Sequence, residues 1–262
     1  MSDFESTRQY LQRYAPSVFA TEPYEKMSDK YRFIPTIDVV EKLLENGFIP
    51  AKASENRVRT KGKTGFAKHA IRFRHSNMLP QVGEHVPEII LVNSHDGSSA
   101  FQISAGIYRL VCKNGLTVGS DHMSVRTRHS GDIGDVIDGV FQVVEEFPEV
   151  VRSFHEWQGI TLTTDQQLAF ARAARSLRWE SDEGHNYPIH EGRLLQPRRP
   201  EDSKKDLWST FNVVQENIIK GGMLARGSDG RSRRARPVKS VNEDQRLNKA
   251  LWILAAELAK QL

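Results

Sequence analysis

The 262-residue chain is expected to be α+β, with an N-terminal helix and an antiparallel strand meander followed by a helical C-terminal half. Three observations predict this. The spacing of apolar residues is helical near Val40, alternates with period two through the next stretch, and turns helical again from Asp132. Turn signals at Asp96-Gly97 and Lys113-Asn114-Gly115 punctuate the alternating stretch. Strands precede helices, the order of an α+β chain rather than of a wound parallel sheet. The division implied is a strand-rich half at 1–130 with a basic hairpin and a helical half at 131–262 with a basic loop at 225–239, both within one compact unit.

In order along the chain, PTIDVVEKLLENG gives the first helix: Thr36 caps it, Val40, Leu43 and Leu44 share a face, and Gly47 stops it. FIPAKASENRVR, FAKHAIRFRH and EIILVNSHDG follow as strands. In the second of these, Ala70, Arg72 and Arg74 alternate with Ile71, Phe73 and His75, so one face is cationic and the other apolar. SAFQIS and GIYRLVC continue as strands broken near Gly106, and MSVRTRH is the last. Ile133, Val136, Ile137, Val140, Val144 and Phe147 then form a helical stripe interrupted at Pro148, and Val151, Phe154 and Trp157 resume it. TTDQQLAFARAARSLRW opens with a capping box from Thr164 to Gln167. The polar stretch 180–206 reads as a long surface loop. LWSTFNVVQENIIKGG aligns Leu207, Phe211, Val214 and Ile218 and stops at Gly221-Gly222. The last helix starts at Asn242, with Gln245 as its capping partner, and buries Leu247, Leu251, Leu254 and Leu258.

A hydrophobic fraction of 38% and a charged fraction of 27% place the chain among globular proteins. The formal charge of +4 is too small to imply a polyanionic partner by itself, so clustering has to carry that case. Cys112 is the single cysteine, which excludes an intramolecular disulfide framework and a multi-cysteine zinc site. The first twenty residues lack a secretory pattern, and no apolar run approaches the roughly 18 residues of a membrane span. A cytoplasmic location is expected. The nine histidines show no metal-binding spacing and the glycines no phosphate-loop pattern, so no metal or other cofactor is expected.

Two basic clusters stand out. RVRTKGKTGFAKHAIRFRH places Arg57, Arg59, Lys61, Lys63, Lys68, Arg72 and Arg74 together without an acidic residue. ARGSDGRSRRARPVK places Arg226, Arg231, Arg233, Arg234, Arg236 and Lys239 around a single acid, Asp229, in a segment whose glycines and serines predict flexibility. Each reads either as a solvated basic loop or as a phosphate-tracking surface. The nucleic-acid reading takes the seven cations at 57–74 as backbone contacts, assisted by Arg231, Arg233, Arg234, Arg236 and Lys239, with single-stranded DNA favoured and no catalysis required. A homo-oligomer is expected to line up the hairpins, whose cations would also discourage indiscriminate pairing at a sheet edge.

A third group is polar rather than basic. NSHDGSSA gathers Asn93, Ser94, His95 and Asp96 at the end of an apolar strand. With Arg109 and Cys112 it forms the candidate polar site of an enzymatic alternative. The same residues make good turn chemistry, and that structural reading is favoured.

YAPSVFATEPYEKMSDKYRFIPTIDVVEKLLENGFIP, ILVNSHDGSSAFQISAGIYRLVCKNGL, DLWSTFNVVQENIIKGG and RLNKALWILAAELA together resemble the phage- and plasmid-borne family called domain of unknown function 932. The resemblance spans nearly the whole chain and implies a mobile-element origin in a bacterial host, without implying a reaction. The order of elements is also similar to that of the Rad52-type single-strand annealing proteins. A further alternative for a mobile-element protein is a host defence or replication protein as partner, docked on the basic patch.

Overall fold

The computed structural model describes residues 3–28, 31–60, 62–76, 85–109, 114–118, 124–127, 133–145, 147–179, 188–226 and 230–262. The chain divides into two units, Met1–Phe147 and Pro148–Leu262.

The first unit contains α1 (Asp3–Tyr14), a 3₁₀ turn (Pro16–Phe19), α2 (Thr36–Glu45), β1 (Phe48–Glu55), β2 (His69–His75), β3 (His85–Asn93), β4 (Phe101–Arg109), β5 (Asn114–Thr117), β6 (Ser124–Thr127) and α3 (Ile133–Glu145). The strands form one antiparallel sheet in the order β1-β2-β3-β4-β5. The sixth strand, β6, pairs with the Phe101–Ser104 end of β4, while β5 pairs with its Gly106–Arg109 end. α3 belongs to this unit, packing on α2, β4 and β6. Ile71, Phe73, Ile89, Leu91, Phe101, Ile103 and Ala105 lie on one face of the sheet and are buried. α2 adds Val39, Val40 and Leu43 at helical spacing.

Three local expectations change. Thr36 is the first residue of α2 rather than its cap; Pro35 precedes it, and the Thr36 hydroxyl turns inward. β4 runs unbroken through Gly106. A Cβ on Gly106 would lie 2.9 Å from the Leu116 carbonyl oxygen and 2.7 Å from Ile90 Cδ1, so glycine here admits the close approach of β5 and does not end the strand. β2 is no edge: it is hydrogen-bonded on both sides, to β1 and to β3. Its cations therefore cannot guard an edge. On this side the border strand is β1, and there the backbone N–H of Ala53 donates to the Tyr10 hydroxyl of α1 at 3.0 Å.

In the second unit α4 (Phe147–Gly159), α5 (Thr164–Arg178), α6 (Glu191–Leu194), a 3₁₀ turn (Pro200–Asp202), α7 (Leu207–Lys220) and α8 (Val241–Ala259) accompany a two-stranded ribbon, β7 (Leu224–Arg226) and β8 (Ser232–Arg234). Phe154, Trp157, Trp208, Phe211 and Trp252 cluster with ring centroids 4.6–6.1 Å apart, the range of favourable aromatic contacts. α7 is buried on nearly every side, not along one stripe. Asn212, Gln215, Glu216 and Asn217 are enclosed together with its apolar residues. Each polar atom therefore needs a partner. Gln215 donates to Asn248 Oδ1 at 2.6 Å, and Asn217 donates to the Leu194 and Gln196 carbonyls at 3.0 and 2.9 Å. The stretch expected as a surface loop thus supplies α6, the buried side chains of Ile189, Leu194 and Asp202, and partners for α7. Two caps move by one or two residues: the capping box is Thr163 with Gln166, and Ser240 caps α8.

Candidate nucleic-acid interface

The connection from β1 to β2 carries most of the first basic cluster, and it is organised. Asn56 N–H donates to the Lys68 carbonyl at 2.8 Å and closes its base. Within it, Phe66 N–H donates to Lys63 O, and Gly62 and Gly65 take φ of 92°, which other residues rarely adopt. The connection rests on the NSHDG turn, because His95 N–H donates to the Phe66 carbonyl at 3.1 Å. Lys63 Nζ lies 3.2 Å from Asp96 Oδ2 and 5.3 Å from the centre of the Tyr24 ring. Burial pushes the Asp96 carboxyl up, but hydrogen bonds from Ser98 and Lys63 outweigh it and hold the group below the usual carboxylate range.

The cations of the cluster separate into three kinds. Arg57 and Arg59 are exposed and make no ion pair among the described residues. Lys63 and Lys68 are half-buried, Lys63 being paired with Asp96. Arg72 and Arg74 are consumed inside the sheet. Glu88 lies on the neighbouring strand, just past the Phe73↔Ile89 pair that ends the ladder, and has no side-chain exposure. Arg72 Nη1 donates to one of its oxygens at 3.1 Å and Arg74 Nε to the other at 2.9 Å. Arg72 is 6% exposed and also donates to the Leu116 carbonyl at 3.1 Å. Three strand spacings separate β2 from β5 along a flat sheet, about 14 Å, which an arginine side chain cannot span. The sheet must therefore coil so that β5 folds over Arg72. Arg74 completes the arrangement by lying 3.8 Å from the centre of the Tyr108 ring. The two arginines of the expected cationic face are thus held by Glu88, which balances one of their charges, and Arg72 and Arg74 leave the candidate surface. One signal for this was present in the sequence: a lone glutamate in VPEIILV has to be paired if that strand is interior. Lys61 lies outside the described residues.

The polar group is brought together only in part. Asn93, Ser94 and His95 are fully enclosed, along with Ser17, Thr36 and His69. Ser17 Oγ and His69 Nδ1 are 2.8 Å apart, and both lie 3.0 Å from the Ala67 carbonyl. That carbonyl only accepts, so the proton belongs on Nδ1 of His69 and the Nε2 lone pair accepts from the Thr36 hydroxyl at 2.9 Å. Thr36 Oγ1 then accepts from Asn93 Nδ2 at 3.0 Å and from His95 Nε2 at 3.2 Å. This order requires a neutral His69, whose Nε2 accepts, while His95 needs only a proton on Nε2. Burial drives the His69 pKa down to about 4, which keeps that ring neutral. This buried cluster joins the 3₁₀ turn, α2, β2 and β3; sequence reasoning missed Ser17, Thr36 and His69.

The rest of NSHDGSSA is turn chemistry. Ser94 Oγ accepts from Ser99 N–H at 2.8 Å, and Asp96 Oδ1 accepts from Ser98 N–H at 3.0 Å. Arg109 is not gathered with it. It ends β4 opposite His85, eight residues along β3 from Asn93. Cys112 lies outside the described residues. Among the described residues no group of three or more His, Cys, Asp or Glu could hold a metal ion, and no helix is long and apolar enough to cross a membrane.

The second basic cluster is a ribbon with a clamped base, where flexibility was expected. β7 and β8 pair through Leu224↔Arg234, Ala225↔Arg233 and Arg226↔Ser232. Below them Ala235 N–H donates to Met223 O and Gly222 N–H to Ala235 O, both at 2.8 Å. Arg178 of α5 donates to the carbonyls of Ile218 and Arg236, and Arg198 donates to that of Gly221. A Cβ on Gly221 would meet the Ala235 oxygen at 2.5 Å, so the chain passes there only as glycine. From this base Arg226, Arg231, Arg233, Arg234, Arg236 and Lys239 are all exposed.

The chain matches the family model described as Domain of unknown function (DUF932) over residues 23–252. It is 40% identical over 257 residues to UPF0380 protein YafZ of Escherichia coli (strain K12), an alignment covering 98% of this chain and 92% of that protein. UPF0380 protein YfjQ of the same strain is 39% identical with the same coverage. No solved structure matches, so the likeness to Rad52-type annealing proteins finds no support. The extent of the family match and the identity to both relatives establish that the chain belongs to the DUF932 family.

Proposed function

We propose that this is a non-enzymatic nucleic-acid-binding protein of a mobile element, acting in the cytoplasm of a bacterial host. Its first contact is with the phosphate backbone, single-stranded DNA being the favoured ligand. Arg57 and Arg59 make the leading contacts, Lys63 and Lys68 flank them, and the segment carrying Arg231, Arg233, Arg234, Arg236 and Lys239 assists. One observation carries the reading: Arg57 and Arg59 stay exposed and without an ion pair among the described residues, on a connection where Lys63 is tied to Asp96. Uncompensated cations held in place lower the ordering cost of binding a polyanion.

The test is fluorescence anisotropy with labelled single- and double-stranded oligonucleotides over a salt series. Affinity is expected to fall steeply with salt, because each neutralised phosphate releases counterions. R57Q/R59Q should reduce the slope of log affinity against log salt by about 1.4 for single strands, at roughly 0.7 per contact. No binding to any oligonucleotide at low salt would sink the proposal. Light scattering after size exclusion, with and without single-stranded DNA, tests the homo-oligomer that would multiply such weak contacts.

A further inference from the structure

We propose that the β7–β8 ribbon is a separate element for double-helical DNA, inserted edge-on into the major groove. This rests on the nucleic-acid reading above and adds a second ligand form to it. Partners across an antiparallel ladder share a face, and neighbours along a strand alternate. Arg226 therefore shares a face with Arg234, while Arg233 lies on the other face. Both faces of the ribbon are cationic, and these arginines are exposed.

A surface that tracks one row of phosphates needs cations on one side only. Cations on both faces suit a position between two phosphate rows, which is what the walls of a groove supply. A two-stranded ribbon has the right thickness for it: sheets pack about 10 Å apart face to face, and the major groove of B-form DNA is roughly 12 Å wide. In an RNA duplex that groove is too narrow and deep. The clamped base matters as well. Main-chain pairing below the ribbon, with Arg178 and Arg198 on the carbonyls around it, holds the element as a stalk, so insertion needs little further ordering.

The experiment compares the full chain with R226Q, R233Q, R226Q/R233Q and R57Q/R59Q on duplex DNA, duplex RNA and single-stranded DNA of equal length. Circular dichroism and thermal melting establish that each variant is folded, which is expected because all four side chains are exposed. R226Q/R233Q is expected to weaken duplex DNA binding about tenfold or more and to reduce its salt slope by about 1.8, with a clearly smaller loss on single strands, where Arg233 only assists. R226Q and R233Q alone should each weaken duplex binding to a similar degree, since each contacts a different wall. Equal loss on single strands and duplexes would overturn the proposal, as would tighter binding to duplex RNA. An effect confined to one face would show that the ribbon lies flat, which also overturns it. Failure of every ligand to bind would instead remove the functional reading beneath it.

Discussion

In the first unit Glu88 has no exposure and is bracketed by Arg72 and Arg74, whose side chains are 7% and 21% exposed. In the second, Glu216 is nearly as enclosed, yet its partners Arg199 and Lys220 are 18% and 36% exposed. The carboxylates look alike, but the cations differ. Removing Glu88 strands a guanidinium that water cannot reach, whereas Arg199 keeps Asp202 at 2.9 Å and Lys220 turns to solvent. The worth of an ion pair is therefore set by what its loss leaves buried.

Glu88→Ala is expected to produce the largest effect, a loss of about 3–5 kcal/mol in urea unfolding, with Glu216→Ala costing roughly half as much. Equal losses would break the distinction. Acid sharpens it next. His69 is neutral in the folded state, with a pKa near 4 against an ordinary 6.5. Its contribution is complete above about pH 6.5 and declines as pH falls towards 4, because only the unfolded chain then takes up the proton; the loss is about 3 kcal/mol. Burial pushes the Glu216 carboxyl up, but Lys220 and Arg199 hold it below its ordinary range, so its contribution persists until pH falls below about 4.5. Between these values, hydrogen exchange resolved by peptide should accelerate in the first unit and not around α7, and His69→Gln should flatten the trend.

Gly106→Ala comes next, at about 1–3 kcal/mol, since the new methyl meets a backbone oxygen that cannot move aside as a side chain end can. The smallest effect is Thr163→Ala, about 1 kcal/mol, through loss of the α5 cap. Thermal unfolding monitored by circular dichroism measures both. A Thr163 variant as costly as the Gly106 variant would contradict the packing at β5.

How much of this was legible follows from the range of each interaction. Helix faces depend on residues three or four apart, so Val40 and Leu43 in α2 and Phe211 and Val214 in α7 were readable as core. The pairing of Glu88 with Arg74 depends on strand register, and a one-residue slip would have sent these side chains to opposite faces. Both Thr163 and Thr164 precede a glutamine at the third position, so local pattern could not choose between the two capping boxes; the extended backbone of Thr163 decides. The enclosed polar side of α7 was hidden for another reason. Its partners come from a stretch whose anchors, Ile189 and Leu194, are too sparse to show a period. In the candidate interface, sequence identified the exposed Arg57 and Arg59 but could not separate them from Arg72, which has an acidic partner 16 residues away.

The Tyr10 hydroxyl on Ala53 has a consequence for any shortened form of the chain. A strand at the border of a sheet is a template on which another chain can continue the ladder, and here a single phenol from α1 occupies a rung of it. A version trimmed to begin at the family match, at residue 23, would discard that phenol together with Ser17, whose N–H is tied to Glu55 Oε2 at 2.8 Å. Such a truncated chain would present β1 as an adhesive margin, and its self-association would reflect the missing helix rather than any assembly native to the protein.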